Sequence, residues 1–307
     1  VTYDEIAALF LCPLAEPIAA PELPDTLARR LRDALEPIAT QGWWSPAAGE
    51  GMDRLDLPFL HGYVWGRAAS LGSPVPSVVV SAFGVFEPAM LAAVYTAGAE
   101  LASRDDVLAM RAEGGAAGVG AVASDEEADA IAGPLLRAVG ELGVMGRPLF
   151  GALLALPEPP TPAGRLWRAA ELVREHRSDG HIAALAVAGL DAVEANVLTE
   201  VWLGYPVGEY SGTRGFAPEV IEAGRERLEG RGWMEGAALT DAGRSARFAI
   251  EAATDRSQQP LVDALIDAHG DAHGDDLSTV IDGASAISER LVAAGSFPPD
   301  PRKRAGG

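Results

Sequence analysis

The densest polar stretch of this 307-residue chain is Glu175-His176-Arg177-Ser178-Asp179-Gly180-His181, which holds two of the five histidines. A His–Asp pair can move a proton as an acid–base unit, and an arginine can clamp a carboxylate or enolate. His176, Asp179 and His181 are therefore the catalytic candidates, with Arg177 as a ligand-binding cation. The same residue types also suit a plain helix junction, with His176 charged in a last helical turn and Asp179 as an N-cap. A second cluster is aromatic: Trp43, Trp44, Phe59, Tyr63, Trp65, Phe83 and Phe86, joined by His61 and Glu87. Aromatic residues make up 6% of the chain, so this crowding is uneven. Coming from neighbouring helices, these side chains would line an apolar pocket with a few polar groups, the usual form of a small-molecule site. An ordinary aromatic core has the same composition. The arrangement expected is one cavity between the two halves of the chain, faced by both clusters. In DAHGDAHGD (267–275), His269 and His273 have the i, i+4 spacing that could share a metal on a helix face. The glycine after each histidine argues against a helix, so a duplicated loop and no metal site are expected. No Walker loop, GxSxG elbow, HExxH or dinucleotide fingerprint occurs, and the residues name no cofactor.

The elements that must carry these clusters are almost all helical. Leu27, Leu31, Leu35 and Ile38 recur at spacings of three and four, predicting an amphipathic helix over 25–40. His61 to Leu71 reads as another, with Gly62 and Gly66 allowing a close neighbour. After Pro74 and Pro76, the apolar run Val78 to Phe86 reads as a short buried helix, and Pro88 opens the next. Ser124 with Glu127 is a capping-box pattern that starts a helix toward Leu142. Four prolines in LPEPPTP (156–162) cannot sit inside a helix and mark a boundary. The organisation predicted is a helical domain over 1–156, a second over 163–300 and a tail at 301–307. Within the second, Thr161 caps a helix ending at His176, Asp179 caps IAALAVAG, and Asp191 caps AVEANVLTEVWLG. The segments VVVSAFGVFEPAML and LAVAGLDAVEANVL echo one another, which reads as a degenerate duplication.

Residues 217–248 change pattern to helix, short strand, turn, short strand, helix. Three helices followed by this unit form the order of a winged helix-turn-helix. In particular, ERLEGRGWMEGAALTDAGR resembles the wing of MarR-type regulators. LWRAAELVREHRSDGHIAALAVAGLDAVEANVL and GYVWGRAASLG resemble an actinobacterial family labelled SalK-like, or helix-turn-helix-like. That resemblance implies an all-helical N-terminal half joined to a winged-helix C-terminal half, in a setting of specialised metabolism. Where the family leads one to expect a histidine before aromatics, this chain has Ala39 ahead of Trp43 and Trp44. The fold class predicted is thus mainly α, with a helical N-terminal half and a winged helix-turn-helix C-terminal half.

Composition sets the remaining bounds. With 48% hydrophobic and 22% charged residues the chain is not a disordered one. Cys12 is the single cysteine, which excludes an internal disulfide framework and a cysteine zinc cluster. Asp4 and Glu5 precede the first apolar run where a signal peptide would be basic, and no run of apolar residues is long enough to span a bilayer; a cytoplasmic protein is expected. The net charge is −20, with 44 acidic against 24 basic residues, and Lys303 is the sole lysine. Such a field repels nucleic acid and anionic lipid. In the 217–231 helix, Val220, Ile221, Gly224 and Leu228 would face inward. Glu219, Glu222, Glu226 and Glu229 then occupy the face a recognition helix would offer to DNA. The function expected is a small-molecule-binding protein, either an enzyme of specialised metabolism or a non-catalytic sequestering protein, with the winged helix as scaffold. A ligand-responsive MarR-like regulator is the alternative. The expected partner is a small-molecule ligand, with neither nucleic acid nor membrane, and the sequence leaves an oligomer open.

Overall fold

A computed structural model describes residues 1–16, 18, 23–267 and 276–305. Most of DAHGDAHGD, including His269 and His273, lies outside the described residues. In chain order the helices are α1 (Tyr3–Phe10), α2 (Leu27–Ala39), α3 (Gln41–Trp44), α4 (Pro46–Arg54), α5 (Phe59–Ala68), α6 (Pro76–Phe83), α7 (Pro88–Leu101), α8 (Arg104–Gly120) and α9 (Asp125–Gly140). They continue as α10 (Pro148–Leu154), α11 (Pro162–Val187), α12 (Ala192–Trp202), α13 (Glu209–Gly212) and α14 (Pro218–Gly230). A hairpin of β1 (Met234–Glu235) and β2 (Ala238–Leu239) follows, then α15 (Asp241–Arg256), α16 (Gln259–Asp267), α17 (Asp276–Ala293) and α18 (Pro301–Ala305). The protein is mainly α, as the helical periodicity predicts. The two strands pair antiparallel, Met234 opposite Leu239 and Glu235 opposite Ala238, across a turn whose Gly236 has a φ of 59°.

Local chemistry sets most of the helix starts. Ser124 and Glu127 form the expected capping box at α9, and Asp191 and Glu194 form another at α12. Thr161 accepts the Gly164 N–H, with Pro162 as first residue of α11. The Val78–Phe86 run gives α6, which buries Val79, Ala82 and Phe83 but leaves Val78 exposed. Leu31, Leu35 and Ile38 are buried as the spacing of α2 requires, whereas Leu27, in its first turn, is exposed. The two echoing segments share a form: helix, break with a positive-φ glycine (Gly84, Gly189), then a helix capped by an acid (Glu87, Asp191).

α11 is the axis of the molecule and departs most from expectation. It runs unbroken for 26 residues, so Asp179 and Gly180 lie inside a helix. Gly180 is there for packing rather than for a turn, because a Cβ would sit 2.3 Å from Ser257 Oγ and 3.0 Å from Arg147 Nη1. Asp179 does cap a helix, but a different one: its carboxyl accepts the Phe150 N–H at 3.0 Å, in the first turn of α10. Around α11, a main core joins α2, α9, α11, α16 and α17, so its buried residues come from both sides of the 156–162 boundary. A second core holds the aromatic residues of α3, α5 and α6, and a third lies among α12, α14, the hairpin and α15. Residues 301–305, expected as a tail, form α18 and pack on α2 with Ala305 buried. No single described helix is long and apolar enough to cross a membrane.

Candidate functional site

A cavity of about 400 Å³ lies where α1, α2, α3, α5 and α11 meet the 210–214 segment and α18. Its walls are aromatic and aliphatic: Trp43, Trp44, Phe59, Tyr63, Phe10 and Leu60. The rings brace one another, Trp43 edge-on to Tyr63 at 5.2 Å and Trp44 tilted on Phe59 at 5.3 Å between centroids. Its polar lining includes Glu36, Arg174, Tyr210, Arg214 and Lys303. Two smaller recesses, of about 90 and 40 Å³, share Arg174 with it and bring in Phe83, Phe86, Arg177, Ser178 and His181.

Helical phase on α11 decides which candidates reach this space. Arg174, Arg177, Ser178 and His181 lie on one face, while His176 and Asp179 face α10 and the end of α15. His176 stands edge-on to Phe150 at 4.8 Å, and its Nδ1 is 2.9 Å from Gln258 Oε1. Burial holds its pKa down to about 4. Asp179 is pushed up to about 7, also by burial, against the opposing Phe150 N–H bond. The three catalytic candidates therefore do not form one group, and neither His176 nor Asp179 is the helix-end residue expected.

His181 and Arg177 belong to a buried ionic cluster beneath the recesses. Glu251 on α15 receives Arg29, Arg177 and Arg247, with the Arg177 bond at 2.9 Å, and all four side chains are at most 5% exposed. His181 Nδ1 is 2.9 Å from Thr254 Oγ1, whose hydroxyl already donates to the Ile250 carbonyl. The histidine must then donate from Nδ1, which leaves Nε2 as its acceptor. Burial, reinforced by Arg247 and Arg177, pushes its pKa well below the ordinary value. His181 is a neutral imidazole at pH 7.

Of the ligand-binding candidates, Trp43, Trp44 and Tyr63 line the main cavity, and Phe83 and Phe86 line the recess. The others lie elsewhere. Trp65 is a core residue whose indole donates to the Ala102 carbonyl at 2.9 Å. His61 is partly buried outside the cavity, and Glu87 caps α7 by accepting the Met90 N–H. Sequence reasoning missed Glu36, Arg174, Tyr210, Arg214 and Lys303. Two signals were available: Arg174 shares the helical phase of Ser178 and His181, and Lys303 is the only lysine.

The electrostatics of the cavity are cationic. Arg174 lies over Trp43, 5.2 Å from the ring centroid, and bonds Glu36 at 3.3 Å and Glu175 at 3.1 Å. Arg67 holds Glu175 in a bidentate pair, both bonds 2.7 Å. Burial raises the pKa of the Tyr63 phenol, but Arg67, Arg174 and Arg214 outweigh it and hold the group below its ordinary value. Among the described residues, no cluster of three or more His, Cys, Asp or Glu side chains is arranged to hold a metal ion.

This fold, helices about a long central helix with a two-stranded hairpin late in the chain, is that of a helix-turn-helix protein carrying a ring-lined cavity open to solvent on one side. The chain belongs to the helix-turn-helix family, whose model matches residues 28–298. No curated protein and no solved structure matches it.

Proposed function

We propose that this is a cytoplasmic small-molecule-binding protein that uses its helix-turn-helix framework as a scaffold and does not read DNA. The observation that carries the reading is the cavity itself. It is large enough for a drug-sized molecule, mostly apolar, and supplied with a few convergent polar groups. Specialised metabolism as the setting is supported by the SalK-like resemblance alone. Trp43 and Trp44 supply a direct readout. A small aromatic ligand entering the cavity should quench tryptophan emission saturably, and Trp44→Phe should reduce that signal, leaving the Trp43 part, while keeping the melting temperature. Emission that stays unchanged across a panel of small aromatic compounds, with no shift in melting temperature, would count against the cavity as a ligand site.

Family membership fits a second reading equally, a ligand-responsive regulator, for which a MarR-like type rests on the wing resemblance alone. The surface of α14 speaks against it. Glu219, Glu222 and Glu226 are exposed, and Val220, expected to pack inward, is 42% exposed beside them. The arginines of this helix are already engaged: Arg225 with Glu222 and Glu229, Arg227 with Asp191, Arg231 with Glu194. Carboxylates facing phosphate oppose binding, and paired guanidiniums release no counterions to drive it. No sequence-selective duplex binding is expected in about 150 mM salt, where specific readers reach about 10⁻⁸ M or tighter. Sub-micromolar, salt-sensitive and sequence-selective binding in a mobility-shift titration would establish the regulator instead.

A further inference from the structure

The buried arginines of this protein follow a rule. Arg29, Arg67, Arg111, Arg168, Arg177 and Arg247 each face a carboxylate within ion-pair distance, and Arg32 faces Asp33 and Glu36. Two half-buried cations on the cavity wall lack such a partner. Among the described residues, Arg214 and Lys303 have no carboxylate partner. The Arg214 guanidinium bonds the Tyr210 hydroxyl at 2.6 Å and lies over the rings of Phe86 and Tyr210, while its Nε is buried without a partner. Lys303 Nζ sits 4.8 Å from the Phe10 centroid and 5.0 Å from that of Tyr205. Both cations flank the Tyr210 ring, with Arg214 Cζ at 4.6 Å and Lys303 Nζ at 6.0 Å from its centroid. Burial and the charge of Arg214 push the Lys303 pKa below its ordinary value.

Arg214 and Lys303 are each partly withdrawn from water, and a cation so placed without an acidic partner is costly, two that repel each other more so. In a chain of net charge −20 acidic residues are the commonest charged ones, yet the carboxylates nearest Lys303, Asp300 and Glu209, stand beyond ion-pair distance of it, and Asp300 is taken up by Arg302 and Tyr205. The rest of the cavity wall is largely aromatic and aliphatic, and its other charged groups, Arg174 and Glu36, pair with each other. Building on the small-molecule reading above, we infer that the ligand is an amphiphilic organic carboxylate, its anionic group held by Arg214 and Lys303 and its apolar body laid against the rings of α3 and α5. The two cations neutralise the carboxylate while aromatic surface takes up the rest, a division of labour that neither a neutral nor a cationic molecule would satisfy.

Three probes of one shape and different charge test this: 1-naphthoate, 1-naphthalenemethanol and 1-naphthylmethylamine, each titrated into the full chain by calorimetry with tryptophan emission in parallel. Naphthoate should bind at least about tenfold more tightly than the alcohol, the weaker end of what a charge-assisted hydrogen bond contributes. Lys303→Gln and Arg214→Gln should each abolish most of that preference and leave the alcohol's affinity within about twofold. Lys303→Arg should retain it. Lys303 lies on the short terminal helix, so its variants report even if Arg214→Gln melts early. Binding of the alcohol or amine as tight as naphthoate would overturn the carboxylate assignment while leaving the cavity a ligand site. Variants that melt like the parent yet keep the preference would overturn the roles of the two cations. Failure of all three probes to bind would overturn this inference together with the reading it rests on.

Discussion

Glu251→Gln should destabilise the protein by about 3–5 kcal/mol, the range for removing one partner of a buried charge cluster. Glu251 is 2% exposed and is the shared acceptor for Arg29 of α2, Arg177 of α11 and Arg247 of its own helix. Asp255 is the other carboxylate at this point, 3.8 Å from Arg177 and 4.0 Å from Arg29, and its second oxygen accepts the Thr26 hydroxyl. The amide would leave three guanidiniums to one carboxylate in a space that water does not reach. The same exchange at Glu222, an exposed partner of Arg225, should leave the denaturation midpoint close to the parent's. Urea denaturation of both variants measures the contrast. A Glu251→Gln protein within 1 kcal/mol of the parent would mean that the cluster does not tie α15 to α2 and α11.

Asp179→Asn should stabilise the protein at pH 8 and do nothing at pH 4. The carboxyl titrates at about 7 in the folded protein, raised by burial from its ordinary 3.8. Between those values the folded state holds a proton that the unfolded chain has lost, so stability falls as pH rises through this window and levels off above it. At about 1.4 kcal/mol per unit, the loss reaches about 4 kcal/mol by pH 8. Asparagine can still accept the Phe150 N–H but does not ionise. His176, on the same side of α11, acts in the opposite sense. Its pKa is lowered by burial to about 4, so the unfolded chain binds the extra proton and stability rises with pH from about 4 to 6.5. His181, held well below its ordinary value, acts in the same sense as His176, so in the parent Asp179 cancels only part of the rise over that interval. In Asp179→Asn the histidines act unopposed, and the rise across the interval should exceed the parent's by about 3 kcal/mol. Denaturation midpoints at pH 4, 5, 6, 7 and 8 give both curves. Parallel profiles for parent and variant would show that Asp179 is ionised in the folded protein throughout.

What could be read from the sequence was what the chain does locally. Thr161, Ser124 and Asp191 announce helix starts because the cap and the N–H it accepts lie three residues apart. The spacing of Leu31, Leu35 and Ile38 works for the same reason, as does the charge of α14, whose carboxylates lie on its outer face. The Asp179–Gly180 pair misleads because its two signals are spent on neighbours distant in sequence. The aspartate caps α10 and the glycine admits Ser257. A short-range reading therefore cut a 26-residue helix in two, and grouped His176 with His181 although they occupy different faces. The aromatic half of the candidate site was legible because Trp43, Trp44 and Tyr63 crowd one region. Its polar half was not, since Glu36, Arg174, Arg214 and Lys303 come from four separate stretches of chain, and the fold alone brings them together.

The position of Lys303 makes the cavity chemically addressable without any mutation. Because no other lysine occurs in the chain, reductive methylation with ¹³C-formaldehyde would place one lysine resonance in the entire spectrum, and it would report from the cavity wall. Its chemical shift follows the charge of a neighbouring ligand, and its rate of modification follows whether the amine is covered. An extract of unknown composition can thus be screened for occupants by watching a single peak.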